Sequence, residues 1–580
     1  MNFGATYLGD NRTRFRLWAP SQPRVTVEID GRPLPMTRQS DGWFEAEGRC
    51  GPGASYLYRL STDEAVPDPA SRAQADDVHG PSLVVDPGSY RWRHPEWTGR
   101  PWPETVLYEL HVGTYGGFAG VAADLDRLAG LGITAVELMP ISDFPGTRNW
   151  GYDGVLPYAP DRAYGTPDEL RALVDSAHER RLMMFLDVVY NHFGPDGNYL
   201  GLYAPQFFRD DIKTPWGAAI DFRQPAVRRY FIENALYWLT EYRFDGLRFD
   251  AVHAIADRQW LDEMAAEIRR TVTGRHVHLV LEHDGNEASH LRHGYDAQWN
   301  DDAHHVLHAL LTGESDGYYS DYAQAPAKQL ARCLAEGFVY QGEPSEHAGG
   351  KRRGEPSGSL PPLAFVDFLQ NHDQIGNRAL GERLAELVEA RALQAAQSLL
   401  LLSPHVPMLF MGEEWGTAIP FQYFCDFHGD LGQAVREGRA REFAGFFANP
   451  KAAVPDPLAE TTFTRSKLDW GEKDRAPHDR WLARSRVLLR LRAEQLAPRL
   501  AAGRSRSEGA EALGPRAVRA AWRLGDGSRL TLLACLGPDG LERVEQPKGR
   551  IVHASAADVG PALERGTLPA WSVAWFLEEA

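Results

Sequence analysis

Two charged residues interrupt an apolar stretch, GLRFD at residues 246–250. Arg248 and Asp250 are two positions apart, so in a β-strand both side chains point to the same face. A charge in apolar surroundings is costly unless it is paired or has a chemical use. Because an adjacent arginine keeps a carboxylate ionised and oriented, the pattern predicts a preorganised nucleophile. The alternative is a buried ion pair that only fixes the fold.

Three other acids also follow apolar stretches: Asp187, Glu282 and Asp373, the last directly after His372. Two carboxylates on either side of a scissile bond suit glycoside hydrolysis. One attacks or stabilises the anomeric carbon, while the other is held protonated and gives its proton to the leaving oxygen. This chemistry requires that the fold bring the acids together.

The elements predicted between residues 96 and 498 would do so. Apolar, strand-like runs alternate with helix-like stretches, and several runs are continuously apolar, as in parallel strands covered on both faces. Eight strands are predicted, at 106–112, 133–139, 182–190, 246–250, 278–282, 297–300, 364–370 and 406–411. They indicate a (β/α)8 TIM barrel, whose active sites lie where the strands end. The four acids then fall at the ends of the third, fourth, fifth and seventh strands.

Two β-rich regions flank this segment. Residues 1–95 alternate apolar and polar positions around hairpin-type turns such as Asp30-Gly31, which predicts a β-sandwich of the carbohydrate-binding kind. Residues 499–580 repeat the pattern around Asp526-Gly527, which predicts a small C-terminal β domain. The predicted fold is therefore multidomain α/β, with the catalytic barrel at 96–498.

Composition narrows the classes of partner. The 580 residues carry a net charge of −17, which disfavours nucleic acid because phosphate recognition needs clustered Lys and Arg. A neutral or small partner is favoured, and the 16 Trp and 21 Tyr suit stacking on sugar rings.

The expected compartment is the cytoplasm. Four scattered cysteines without a CxxC pair predict neither a disulfide framework nor a zinc site. The first residues show no secretory signal, and no apolar run is long enough to span a membrane.

Four short motifs resemble those of the α-amylase superfamily of glycoside hydrolases, in the same order and spacing. They are DVVYNH (187–192), GLRFDAVHA (246–254), LVLEHD (279–284) and LQNHD (369–373). The resemblance implies that Asp250 is the nucleophile, Glu282 the general acid/base and Asp373 the third acid, which holds two sugar hydroxyls.

The resemblance also implies substrate-binding residues around the sugar at the cleavage point. Arg248 is the partner of the nucleophile, Asp187 supports the site, and Tyr152, in WGYDG (150–154), stacks on that sugar. His192 and His372 are hydrogen-bonding groups. No metal or other cofactor is expected.

Two positions depart from the superfamily pattern. His253 replaces a lysine that is common three residues after the nucleophile, on the leaving-group side, so an ordinary starch substrate is not assumed. Leu281 replaces the usual small residue before the acid.

Longer motifs resemble a branch of the superfamily that hydrolyses the α-1,4 bond next to a terminal trehalose on a short glucan. The most specific is PFQYFCDFHGDLGQAVREGRAREF at 420–443. The mechanism implied is a retaining double displacement, with the two carboxyl groups about 5–5.5 Å apart. The alternatives are a glucan branching enzyme and a barrel that binds glucan without catalysis.

Several other side chains have both a functional and a structural interpretation in the sequence. Trp150 and Trp216 could stack on sugars or pack in the core, and His304-His305 could bind substrate or begin a solvated helix. The remaining candidates for the pocket are Glu413, Glu414, Phe421, Tyr423 and Phe424.

Overall fold

A closed barrel of eight parallel strands forms the centre of the computed structural model, which describes residues 2–214, 216–443 and 454–580. Every predicted strand contains one of the observed strands. These are β1 Leu107–Leu110, β2 Ala135–Leu138, β3 Met183–Val188, β4 Gly246–Phe249, β5 His278–Leu281, β6 Ala297–Trp299, β7 Phe365–Phe368 and β8 Val406–Phe410. All their residues are buried, which explains the continuous apolar runs.

The register of the barrel brings the charged strand positions together. Arg248 on β4 pairs with Asp187 on β3 and with Val280 on β5. At the start of β4, a Cβ on Gly246 would lie 2.1 Å from the ring of Phe185. Only glycine at position 246 therefore allows β4 to pack this closely against Phe185 of β3.

Helices surround the barrel. The one at Pro167–Glu179 shows why they form: Thr166 and Glu169 make a capping box, Pro167 occupies the first turn, and Leu170 and Val174 are on the buried face. The longer helices are Gly117–Leu131, Pro167–Glu179, Pro225–Thr240, Arg258–Thr271, Asp301–Thr312, Pro326–Glu336, Ala390–Leu402, Gly429–Glu442 and His478–Leu491. A shorter helix, His372–Gly376, follows β7 directly.

The N-terminal region has two antiparallel sheets, as the alternating pattern predicts. One contains Gly4–Gly9, Arg12–Trp18, Trp43–Gly48 and Thr37–Arg38; the other contains Arg32–Pro35, Thr26–Ile29, Ser55–Arg59, Ala65–Val66 and Ser82–Leu83. Asp30 and Gly31 both have positive φ between two of these strands, as the predicted hairpin turn requires.

The C-terminal region has a five-stranded sheet that packs on barrel helices. Trp522 and Trp575 donate hydrogen bonds to the carbonyls of Leu334 and Ser398, at 3.1 and 3.0 Å. The strands are Arg506–Gly514, Ala517–Arg523, Arg529–Cys535, Ser572–Glu578 and Arg550–Ala554.

In the described part of the chain, no helix has both the length and the apolar character needed to cross a membrane. All four cysteines are buried free thiols.

Candidate active site

The predicted acids lie at the carboxyl-end rim of the barrel. Asp187 is the second-last residue of β3, while Asp250 and Glu282 directly follow β4 and β5. Asp373 is in the helix that begins at His372, after β7. The strand ends place all four acids on the same side of the barrel, as the sequence predicts.

Arg248 connects three of these acids. Its Nη1 is 2.6 Å from Asp187 and 2.9 Å from Asp250, and its Nη2 is 3.1 Å from Glu282. The guanidinium is fully buried and lies 4.1 Å from the ring centre of Trp299. One guanidinium therefore holds both carboxylates that glycoside hydrolysis requires.

The backbone just after β4 positions these two carboxylates. Ala251 has a φ of +40°, a left-handed conformation that is uncommon for a residue with a Cβ and is found at functional sites. Its N–H donates to Glu282 Oε2 at 2.5 Å. Asn191 Nδ2 donates to Asp250 Oδ2 at 2.8 Å. The sharp bend at residue 251 thus brings the end of β4 to the acid on β5.

The electrostatics of Glu282 suit a proton donor. Burial raises the pKa of Glu282, Arg248 lowers it, and the neighbouring carboxylates Asp250 and Asp373 raise it again; the net shift is upward. A carboxyl group with a raised pKa stays protonated closer to neutral pH, which general acid catalysis requires.

Asp373 is the most accessible of the acids, with a side chain 42% exposed. Asn377 donates to it at 3.2 Å, and His372 Nε2 is 3.5 Å away. The other nitrogen of His372 pairs with Glu109 on β1. Burial disfavours the imidazolium, but the carboxylates of Glu109 and Asp373 outweigh this and raise the pKa of His372 to about 9. A cationic His372 therefore lies beside Asp373 at neutral pH.

Replacing Glu109 and His372 together with glutamine should remove a pH-dependent part of the stability. The ordinary histidine pKa of about 6.5 rises to about 9 in the folded chain. The raised pKa of His372 therefore contributes about 3 kcal/mol to the free energy of unfolding. This contribution is fully present below about pH 6.5 and is lost as the pH rises through about 9. Urea unfolding at about pH 6 and pH 10 measures this, since the wild type should lose more stability than the double variant. Equal losses would contradict the pairing.

The other predicted substrate-binding residues also lie at this rim. The Tyr152 hydroxyl donates to Asp187 at 2.6 Å, and its ring stacks on His372 with centroids 5.1 Å apart. His192 Nε2 is 3.0 Å from the Tyr152 carbonyl oxygen. Burial raises the pKa of Asp187 to about 7 despite the opposing effect of Arg248. Asp187 thus accepts hydrogen bonds from both Arg248 and Tyr152.

Three further candidate residues differ in exposure. His253 is exposed on the loop after β4, and its Nδ1 accepts a 3.4 Å hydrogen bond from the N–H of Asp284. Trp216 is 46% exposed and stacks on His192 at 4.9 Å, so it is available to a ligand. Trp150 is buried and packs on Phe421. Of its two interpretations, the structure therefore favours core packing over sugar stacking.

The other side chains with two interpretations are mostly buried and contact other parts of the protein. His304 and His305 are both buried, so they do not begin a solvated helix. His304 Nδ1 is 2.7 Å from the Leu369 carbonyl oxygen. Glu414 accepts hydrogen bonds from Tyr108 and Arg127. Glu413, Phe421 and Phe424 are also buried, and Tyr423 is partly buried.

Sequence reasoning missed three residues of this site. Glu109 and Trp299 lie on barrel strands distant in sequence from their partners, so no local pattern marks them. Asn191 had a signal, because it directly precedes His192 in the motif DVVYNH.

Comparison with known proteins shows the family of the chain. Residues 80–201 match the family model of the α-amylase catalytic domain, and residues 505–575 match a domain of unknown function, DUF3459. A malto-oligosyltrehalose trehalohydrolase of Deinococcus radiodurans is 45% identical over 505 residues, covering 85% of this chain and 83% of that protein. One from Rhizobium sp. (strain M-11) is 42% identical, covering 83% and 84%.

A solved structure agrees over the full length. A putative α-amylase from Salmonella typhimurium superposes with a TM-score of 0.94 and 46% identity, covering 100% of this chain and 99% of that one. The barrel, its flanking β domains and the acids at its rim define a glycoside hydrolase of the α-amylase superfamily. The chain belongs within it to the malto-oligosyltrehalose trehalohydrolase family.

Proposed function

We propose that this enzyme hydrolyses the α-1,4 bond next to the terminal trehalose of maltooligosyltrehalose and releases free trehalose. The observation that supports it most is the position of Arg248. Its guanidinium lies within ion-pair distance of both Asp250 and Glu282 at the rim of the barrel. Family membership supplies the substrate, because the relatives that cover most of the chain are named for this reaction.

The proposed mechanism is a double displacement with retention. In the first step, Glu282 protonates the oxygen of the scissile bond while Asp250 attacks the anomeric carbon. That bond breaks, trehalose leaves, and the remaining glucan is esterified to Asp250. In the second step, Glu282 takes a proton from water, which attacks the same carbon and frees Asp250. Each step passes through a transition state with oxocarbenium character.

The neighbouring residues have distinct proposed roles. Asp373 holds two hydroxyls of the reacting sugar, and its accessibility supports this role. His192 and His372 hydrogen-bond that sugar, and Tyr152 stacks on it. Further roles are proposed for three residues: Arg248 and Asp187, which orient the nucleophile, and His253, which faces the trehalose side.

Parallel incubation with two substrates tests the reaction. With maltooligosyltrehalose, we expect free trehalose and the shortened glucan in equal amounts. With a linear glucan, we expect no new α-1,6 linkages. Chromatography of the sugars and proton NMR of the anomeric region measure both outcomes.

The alternatives give different products in this experiment. A branching enzyme would form α-1,6 linkages from the linear glucan and release no trehalose. A barrel that only binds glucan would leave both substrates unchanged. Either result would overturn the proposed function.

We also propose a neutral oligosaccharide as the partner and the cytoplasm as the location. The net charge of −17 supports the first, since it disfavours polyanions. The four buried free thiols support a reducing compartment.

A further inference from the structure

Three side chains that ordinarily bind metal ions lie together in the loop after β5. Each of His283, Glu287 and His290 offers one donor atom, and these atoms all lie within 4.8 Å of one another. Glu287 Oε2 is 3.6 Å from His283 Nε2 and 3.8 Å from His290 Nε2. Tetrahedral zinc with bonds of about 2.0–2.2 Å separates its ligand atoms by about 3.4 Å. The two distances from Glu287 Oε2 to the imidazoles are therefore within a few tenths of an ångström of that spacing.

His290 has the environment of a metal ligand. Its side chain is buried, and its Nδ1 is 2.8 Å from Asp262 Oδ1. Its Nε2, which faces Glu287, is buried without a hydrogen-bond partner. A buried polar atom left unpaired is costly. Metal-bound histidines commonly use their second nitrogen on a carboxylate in this way, because that contact fixes the tautomer and raises the basicity of the ligating nitrogen.

Glu287 has one oxygen free for an ion. Arg258 pairs with Oε1, while Oε2 faces both imidazoles. The Arg258 pairing orients the carboxylate, so that a single oxygen is presented to the ion.

The backbone of this loop is held by a neighbouring segment, which fixes the ligands relative to one another. The carbonyl of Gly285 accepts from the N–H of Gly354 at 3.0 Å, and the N–H of Ser289 donates to Glu355 at 2.7 Å. Ligands on a positioned backbone bind a metal ion with less loss of conformational entropy than ligands on a free loop.

We propose that His283, Glu287 and His290 bind a divalent transition-metal ion, with Zn²⁺ the best fit, and that this ion anchors the loop that begins directly after Glu282. Two imidazoles and one carboxylate are a known zinc ligand set that leaves a fourth position for water. The ion would lie outside the acid cluster and would restrain the backbone that carries the general acid. The sequence motifs predict no metal, but the spacing H-x3-E-x2-H within one loop is a signal for this site.

Zinc titration of the full chain tests the proposal directly. Protein treated with a chelator and freed of it by gel filtration is titrated with ZnCl₂ alone in a calorimeter. We expect one ion per chain, with a dissociation constant of about 1 μM or tighter, and a rise in Tm of roughly 2–4 °C at saturation. Co²⁺ in the same site should give the visible absorption bands of a tetrahedral ion.

Three variants distinguish zinc binding at this site from binding at exposed histidines. His290→Gln should weaken zinc binding at least about 100-fold, and Asp262→Asn, which removes the carboxylate behind His290, about 10–100-fold. His293→Gln is the matched control: its imidazole is 58% exposed and lies 3.3 Å from Asp262, but it is not one of the three ligands. Its affinity should equal that of the wild type.

Two results would overturn the proposal. Absence of stoichiometric zinc binding by the wild type would do so. Equal affinity of His290→Gln, Asp262→Asn and the wild type would also do so, because the ion would then bind elsewhere. Circular dichroism without metal establishes that each variant folds, and if His290→Gln fails to fold, the affinity of Asp262→Asn decides.

Discussion

The variant Asp250→Asn is expected to lower kcat on maltooligosyltrehalose by about 10⁴-fold, with substrate affinity nearly unchanged. An amide is a very poor nucleophile, so the covalent intermediate cannot form at a useful rate. The loss corresponds to about 5 kcal/mol of transition-state stabilisation. The shape of the side chain is retained, and Arg248 keeps its ion pairs with Asp187 and Glu282.

Kinetics and binding must be measured together for this variant. Trehalose release gives kcat, while calorimetric titration with the substrate gives the dissociation constant of the inactive complex. The control Asp284→Asn changes an acid whose side chain is 66% exposed, two residues beyond Glu282, and should leave kcat unchanged. Activity of Asp250→Asn within about tenfold of the wild type would show that another group is the nucleophile.

The variant Glu282→Gln should show a loss that depends on the leaving group. With maltooligosyltrehalose, whose leaving sugar oxygen must be protonated, we expect a loss on the order of 10³-fold. An α-malto-oligosyl fluoride needs little protonation, so formation of the glycosyl-enzyme should be much less affected. Its hydrolysis should then be slow, because no base activates water, and the intermediate should accumulate.

Azide distinguishes this mechanism from general damage to the site. Azide needs no base, so it should restore turnover of the fluoride by Glu282→Gln and give an α-glycosyl azide, since the two displacements retain configuration. Stopped-flow kinetics and NMR of the product measure both effects. Equal losses for the two substrates, without rescue by azide, would remove Glu282 from its role as acid and base.

The barrel was predictable because its strands have a strong local signal. Buried parallel strands are apolar on both faces, so each appears as a short continuous run, and all eight runs match observed strands. The position of the acids was predictable for a related reason, since each lies within such a run or shortly after its end. Even β6, which has only Ala297–Trp299, falls within its predicted run.

The contacts that tune the site were not predictable in this way. Glu109, which sets the charge of His372, precedes it by 263 residues, and nothing near either residue indicates the pairing. The left-handed backbone conformation of Ala251 could not be predicted from the sequence either, because alanine carries no preference for that conformation. The cluster around Glu287 depends on the path of an irregular loop, so the spacing of its residues in the sequence does not by itself establish that the three side chains meet.

The sequence alone determined which residues form the apolar strands and which acids lie near the strand ends. Both features depend only on residues that are near one another in the chain. The tertiary structure decided which side chains distant in sequence meet, such as the acids around the Arg248 guanidinium and the pairing of Glu109 with the His372 imidazole. Those pairings arise when the barrel closes and brings strands from remote parts of the chain into register, so they are set by packing in three dimensions.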